Sequence, residues 1–265
     1  MSSYRDILAS HLDPLLFLYT SLSYLPATLL TPRDSTSPSF RESWFLRFWT
    51  SVSPSIRAGS SPRVAALLQG RASKGAVTDD EVHPPLSGTV LEIGAGTGVW
   101  AQMLASQPSV ARVYGIEPNG ASVRALEKAV KKANVDGKYV IVPAGIEDAG
   151  RWVERGSLDC VVTILCMCSV PEPEAIAREV YGYLKPGGRW YVYEHVRADG
   201  AGWWVKRYQA FLNLFWPTMI GGCDLTRTTM ETLQKAGIWA KVDVARCVDE
   251  PWHHAIPHIY GILTK

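Results

Sequence analysis

Apolar residues recur along this chain in two rhythms, and the change between them divides it. From residue 88 to 196, short apolar runs alternate with amphipathic stretches. Thr89–Ile93, Arg112–Ile116, Tyr139–Val142, Leu158–Leu165 and Arg189–Glu194 read as strands, and the fourth is a continuous run of the kind buried on both faces. Between them the pattern predicts helices from about Thr97 to Ser106, Gly120 to Asn134 and Pro173 to Leu184, the last ended by Lys185-Pro186-Gly187-Gly188. Two further strands, near Trp239–Cys247 and His258–Leu263, bring the sheet to seven. This alternation predicts an α/β fold: a Rossmann-like, doubly wound, mostly parallel seven-stranded sheet.

The flanks have helical spacing and many aromatics. Residues 1–82 form one expected unit, an added N-terminal helical lid or membrane-associating segment, and 83–265 the other. Phe40, Trp44, Phe45, Phe48 and Trp49 share one helical face, with Arg41, Glu42 and Arg47 off it. Such a stripe docks on the core, or else covers a substrate or faces a membrane. Residues 51–63, rich in Ser and Pro, read as a connector, and 70–88 as a second. No charged side chain falls between Pro14 and Pro32. As a helix Leu15–Leu30 would extend roughly 24 Å, short of a bilayer core of about 30 Å, and Thr20, Ser21, Ser23, Pro26 and Thr28 interrupt it. A helix lying in the membrane plane, or a lid over an apolar pocket, suits it better than a span. Beyond the sheet, Trp203, Trp204, Tyr208, Phe211, Leu212, Phe215 and Trp216 recur at helical spacing until Pro217. A helix near Thr228–Ala236 ends at Gly237, a C′ residue by type.

Composition narrows the partners. At 265 residues and 47% hydrophobic the chain can bury one good core. The net charge is +2 and no Lys/Arg block marks a phosphate groove, so nucleic acid is not an expected partner. Arg124, Lys128, Lys131 and Lys132 share a helix with Glu127 and read as a solvated face. Five cysteines, an odd number with no CxxC pair and no basic-start signal peptide, suit a reducing compartment. The expected location is therefore the cytoplasm, with contact to an intracellular membrane through residues 12–30. A zinc site would want closer Cys/His pairing than this, and His253, His254 and His258 read as a loop rim, so no metal is expected.

The chemistry is carried by Val90-Leu91-Glu92-Ile93-Gly94-Ala95-Gly96-Thr97-Gly98, a strand running through glycines into a helix. Glycines let the backbone approach a ligand, and a helix N-terminus offers free N–H groups. The spacing is GxGxG rather than the GxGxxG of dinucleotide sites, which suits an adenosyl amino acid better than a pyrophosphate. Glu117, at the end of the next strand before Pro118, can accept both ribose hydroxyls. Gly145 and Ile146, after the third strand, are candidates for the adenine edge, and Leu165 and Cys166, after the fourth, for the amino-acid end.

From 89 to 195 the chain resembles the class I S-adenosylmethionine methyltransferases, with Lys185-Pro186-Gly187-Gly188 a frequent feature of that group. The C-terminal half sharpens the likeness. Leu165–Val170, Glu194-His195-Val196, Gly222-Cys223-Asp224-Leu225-Thr226-Arg227 and Pro257-His258-Ile259-Tyr260-Gly261 are similar to the methyltransferase-like alkyl thiol methyltransferases. The resemblance implies S-adenosyl-L-methionine as cofactor, a cofactor set of Glu92, Gly94, Ala95, Gly96, Gly98, Glu117, Pro118, Gly145, Ile146, Leu165 and Cys166, and a small apolar acceptor, most simply a thiol. Members of that family attach to membranes through an N-terminal apolar segment. Here Ala95 stands where relatives often have Cys, and the apolar N-terminus is more broken.

His195 is the candidate base or acceptor contact, and Glu194, on the opposite face of the same strand, cannot share the pocket with it. Asp224 is a second catalytic candidate, with a helix N-cap as its competing role. Cys223 reads as pocket wall and His258 as a weaker contact. Methylation at oxygen, nitrogen or carbon of a lipid, quinone or specialised metabolite stays open, as does a rearrangement without methyl transfer. Oligomeric state is not legible in the residues.

Overall fold

The computed structural model describes residues 4–32 and 39–265, so residues 1–3 and 33–38 of the expected N-terminal unit lie outside the description. The chain begins with three helices, α1 (Tyr4–Ser23), α2 (Leu25–Leu29) and α3 (Phe40–Leu68), and a small hairpin, β1 (Ala72–Ser73) with β2 (Ala76–Val77). The central part follows as β3 (Gly88–Ile93), α4 (Ala101–Ala105), β4 (Val110–Ile116), α5 (Gly120–Lys132), β5 (Tyr139–Val142), β6 (Leu158–Ile164), α6 (Pro173–Tyr183) and β7 (Leu184–His195). It closes with α7 (Trp203–Asn213), α8 (Trp216–Met219), α9 (Thr229–Gln234), β8 (Lys241–Arg246) and β9 (His258–Thr264).

Seven strands form one sheet in the order β5-β4-β3-β6-β7-β9-β8. β3 to β7 pair in parallel, and β9 enters antiparallel between β7 and β8. The parallel strands are apolar on both faces because helices cover both. One face packs Leu67, Leu104 and Leu126 against Val90 and Val113, and the other packs Ile176 and Val180 against Leu91 and Trp190. A third cluster gathers Leu18, Trp44 and Phe48 from α1 and α3 with Leu212 and Trp216 from the C-terminal helices. Fully burying a side chain such as Phe48 contributes about 1.5–3 kcal/mol, so the N-terminal helices are fastened to the same body as the sheet.

Three expectations are corrected. Residues 51–63 are not a connector but the middle of α3. Its start is fixed by a reciprocal cap, in which Glu42 N–H donates to Ser39 Oγ at 3.2 Å and Ser39 N–H to Glu42 Oε2 at 2.7 Å. Pro54 and Pro62 each remove one helical donor, but Ser53, Ser60 and Val64 are buried along the same helix, and packing overrides the local preference. Pro217 does not simply stop the aromatic helix. α7 ends at Asn213, and Pro217 lies in the first turn of α8, where its missing N–H costs nothing. Gly237 has no left-handed φ. It is needed for space, since a Cβ there would fall 2.3 Å from the Tyr181 ring.

No helix among the described residues is long and apolar enough to cross a membrane. α1 instead turns an apolar row outward: Leu8, Leu12, Leu15, Leu16, Tyr19 and Leu22 are all exposed.

Candidate active site

The order of strands reverses direction beside β3, since β4 and β5 lie on one side and β6 and β7 on the other. The carboxyl ends of strands at such a switch frame a crevice. Here α1 and α3 wall its far side, leaving a cavity of about 1020 Å³ that runs from the glycine turn to the end of β7.

The turn after β3 is held by Gly94 and Ala95, whose N–H groups both donate to Ile116 O at 3.0 Å. Its three glycines have different tasks, though all lie at left-handed φ. A Cβ on Gly94 would sit 2.6 Å from Cys166 Cβ, so glycine lets the loop after β6 close in. A Cβ on Gly98 would sit 2.7 Å from Ala129 Cβ on α5. At Gly96 the nearest atom is Trp49 Nε1, 3.5 Å away, and the backbone is open to the cavity.

Glu117 leaves β4 and turns back to this bend. Its Oε2 accepts Gly96 N–H at 2.7 Å and its Oε1 accepts Asn119 N–H at 2.8 Å. Burial raises its pKa, and the two backbone donors only partly oppose that. Asn119 then caps α5 through Ala121 N–H at 2.9 Å, and its side chain donates to Glu42 O of α3 at 3.4 Å. Pro118, Gly145, Ile146 and Ala95 also line the cavity.

Two members of the expected cofactor set do not. Gly98 packs the turn on α5. Glu92 is buried within the sheet and accepts the Tyr139 hydroxyl; burial pushes its carboxyl up to about 7, with Tyr139 pulling the other way. Glu92 shares its face of β3 with Val90, in the core of the sheet, and its carboxyl is taken up by Tyr139 there.

Leu165 is a bulky residue at φ 56°. A left-handed conformation of this sort costs about 1–3 kcal/mol and persists only where surroundings enforce it. They do: Leu165 N–H donates to Tyr193 O at 2.9 Å, and the buried Glu194 carboxylate accepts Cys166 N–H at 3.0 Å and Met167 N–H at 3.2 Å. Burial pushes Glu194 up to about 8. Glu194 thus pins the loop while His195, on the other face of β7, lines the cavity. Burial and Glu194 also push the Cys166 thiol well up.

At this end the fold assembles what sequence spacing does not reveal. Cys168, His195 and Cys223 offer ligand atoms all within 4.8 Å of one another, and all three line the cavity. His195 Nε2 is 3.1 Å from Cys223 Sγ, which also receives the Trp216 indole N–H at 3.1 Å. A hydrogen bond from Cys223 outweighs burial and draws the Cys168 thiol well below its ordinary value, while burial and Cys168 push Cys223 up. Burial lowers His195, but Cys168 beside it turns the net shift upward. Sequence spacing alone does not reveal this cluster, because its three residues come from three elements that converge here.

Asp224 lies outside the cavity wall. It is neither helix cap nor cavity residue, since α9 is preceded by Thr228. Its Oδ1 accepts Thr226 N–H at 2.8 Å and Asn213 Nδ2 at 2.9 Å, and Arg227 lies 3.7 Å from Oδ2. The His253, His254 and His258 group also divides. His253 meets Ser10 at 3.0 Å, whereas His254 and His258 gather on Glu250. Sequence reasoning missed Cys168 and Trp216 as cavity residues, though both stood in segments it marked. Trp49, from the aromatic stripe, reaches the cavity as a covering residue would.

A methyltransferase domain family matches residues 66–224. The chain is 34% identical over 180 residues to thiol S-methyltransferase TMT1A of Homo sapiens, covering 67% of this chain and 70% of that protein. It is 30% identical over 258 residues to thiol S-methyltransferase TMT1B of Rattus norvegicus, covering 96% and 99%. Among solved structures, an O-methyltransferase family protein from Burkholderia thailandensis superposes with TM-score 0.59 at 13% identity, over 100% of this chain and 73% of that one. The [4+2]-cyclase SpnF does so with TM-score 0.58 at 15% identity, over 83% and 94%. At such identities the two structures speak for the fold alone. With the matched domain, the relatives and the glycine turn joined to Glu117, the chain belongs to the S-adenosylmethionine-dependent methyltransferases.

Proposed function

We propose that this enzyme methylates the sulfur of a small apolar thiol, with the cofactor at the glycine turn and the acceptor at the Cys168–His195–Cys223 end. The observation that carries the reading is the single cavity that joins the two, walled by aromatic side chains. The cofactor end fits its ligand. Gly96 leaves backbone open to the cavity, and each Glu117 oxygen accepts one N–H, keeping lone pairs for a ribose diol. Gly145 and Ile146 would border the adenine, and Leu165 and Cys166 the amino-acid end. S-adenosylmethionine supplies a methyl group on a positively charged sulfur.

The chain's own contribution is placement and dryness. A thiolate and a sulfonium lose charge as they react, which a water-poor cavity favours. Phe17 of α1 and Trp44, Phe45 and Trp49 of α3 supply that apolar wall, so the helical part of the 1–82 unit that carries them acts as a lid, while Leu67 and Leu68 of the same unit belong to the sheet's core. Holding the acceptor near attack distance contributes several kcal/mol to the barrier reduction. His195 is a polar side chain that borders the acceptor end, and Asp224 only shapes the loop that presents Cys223. Initial rates of labelled-methyl transfer to a panel of alkyl thiols, phenols and amines test this. Turnover confined to thiols supports the reading, and turnover confined to the others defeats it.

A second reading concerns the outer face. Leu12, Leu15, Leu16, Tyr19 and Leu22 are exposed on α1, and Trp203, Phe211, Leu214 and Phe215 are exposed on the neighbouring α7 region. α1 and α7 are joined where Tyr208 donates to His11 O and the His11 and Trp204 rings meet at 4.8 Å. Leu16 also borders the cavity. Residues 12–30 would then rest on a membrane surface from which an apolar acceptor enters. Sedimentation with phosphatidylcholine vesicles tests it: L12D together with L15D should leave the protein in the supernatant, and unchanged pelleting would overturn the assignment.

A further inference from the structure

We propose that Cys168, His195 and Cys223 bind one zinc ion whose fourth position faces the cavity and receives the acceptor thiolate. The ion site stands on geometry and chemistry alone, and its part in catalysis rests on the thiol reading above.

Two sulfurs and an imidazole nitrogen within 4.8 Å of each other leave a gap of the right size. A tetrahedral zinc with Zn–S of about 2.3 Å and Zn–N of about 2.0 Å spaces its ligands about 3.5–3.8 Å apart. The observed 3.1 Å from His195 Nε2 to Cys223 Sγ needs only a small opening. Soft thiolates with imidazole select zinc over magnesium or calcium. Three protein ligands among the described residues match the ligand number of a catalytic rather than a structural zinc.

The surroundings are built for such a group. Trp216 N–H points at Cys223 Sγ from 3.1 Å, the kind of donor that steadies a metal-bound thiolate. Asp224 N–H donates to Cys168 O at 3.0 Å and so ties the two cysteine loops together. Glu194 pins the residues just before Cys168 by their backbone N–H groups. His195 is placed by the β7–β9 ladder, where it faces His258. Neutral thiols are at ease in an apolar wall, and as ligands both sulfurs would bind as thiolates. A divalent cation balances two thiolates.

The chemistry then closes. On binding the metal the acceptor thiol gives its proton to solvent. A lone pair of the bound sulfur forms the new S–C bond as the sulfonium S–C bond breaks, and the broken bond's electron pair returns to that sulfur. The thioether formed is neutral, binds zinc weakly and leaves. No oxidant or reductant takes part.

The test uses the full chain, reduced, stripped with a chelator and reloaded with zinc or cobalt. Elemental analysis should find one zinc per chain. Cobalt loading should give thiolate-to-cobalt charge-transfer absorption, and an added alkyl thiol should change the visible d–d bands as it enters the fourth position. C168S and C223S should each lose the metal and the charge-transfer band, while C247S, at a buried cysteine outside the cluster, should keep both. Calorimetry with S-adenosylhomocysteine reports that each variant remains folded at the cofactor end. Failure of the reduced protein to retain zinc, or equal retention by C168S and C223S, overturns the site. Undiminished thiol methylation by the stripped protein overturns its catalytic part and leaves the thiol reading standing. A zinc-loaded protein that methylates only phenols or amines sinks the thiol reading and leaves the metal site standing.

Discussion

Glu117→Gln separates the cofactor contact from the rest of the cavity. The carboxylate is buried and receives two backbone donors, Gly96 N–H at 2.7 Å and Asn119 N–H at 2.8 Å. A glutamine at this site has one acceptor oxygen, so one of those donors meets an NH2 group instead. Losing a hydrogen bond to a charged group costs about 1.5–3 kcal/mol. The same loss recurs toward the ribose, where one hydroxyl forfeits its acceptor. At 1.4 kcal/mol per decade, affinity for S-adenosylhomocysteine should fall roughly ten- to hundredfold. There is also a pH signature. Burial raises the Glu117 pKa, and a ribose diol prefers the ionised form. Wild-type affinity should therefore weaken as pH falls toward the raised Glu117 pKa, while the glutamine variant should be flat there. Titration calorimetry with Glu127→Gln, an exposed residue of α5, as control provides the reading. An affinity within about twofold of wild type, in a protein that melts normally, would refute the assignment of Glu117.

Gly98→Ala places a side chain at φ 82° and 2.7 Å from Ala129 Cβ, so unfolding by urea should show a loss of about 2–4 kcal/mol. Its effect on S-adenosylhomocysteine affinity should be smaller than that of Glu117→Gln. Phe48→Ala and Trp49→Ala should divide structure from function between adjacent residues. The first empties a fully buried site and should cost about 3–5 kcal/mol of stability, whereas the second should chiefly raise KM for the cofactor in steady-state kinetics. Glu92 sets a pH dependence of stability. Its folded pKa of about 7 lies above the unfolded value near 4.3, so the folded chain keeps a proton that the unfolded chain sheds. The contribution is complete below about pH 4.3 and is lost as pH rises through 7, by an amount on the order of 3 kcal/mol. Urea midpoints of Glu92→Gln should be flatter across that window.

The sheet was legible because its strands are doubly covered and therefore apolar almost without interruption. Tyr139–Val142 has the same limits in pattern and structure, and Leu158–Leu165 shortens by one residue only because Leu165 must turn left-handed. The glycine turn and Glu117 were legible because close approach and ribose recognition need those residue types near each other in sequence. Other features depend on contacts that spacing does not record. Residues 51–63 have loop composition, yet a cap at Ser39 and burial at Ser53 and Ser60 carry the helix through two prolines. Glycines look alike in a string, but Gly98 serves α5 and Gly96 the cavity. Cys168, His195 and Cys223 come from three loops or strand ends and meet only when β6, β7 and α8 are packed.

Transfer of a deuteriomethyl group from labelled S-adenosylmethionine to an alkyl thiol, followed by mass spectrometry of both products, tests the two-ended cavity most directly. One thioether carrying the label on sulfur should form for each S-adenosylhomocysteine released, and Glu117→Gln and C168S should both slow it. Label on another atom, or no S-adenosylhomocysteine released with any thiol offered, would contradict it.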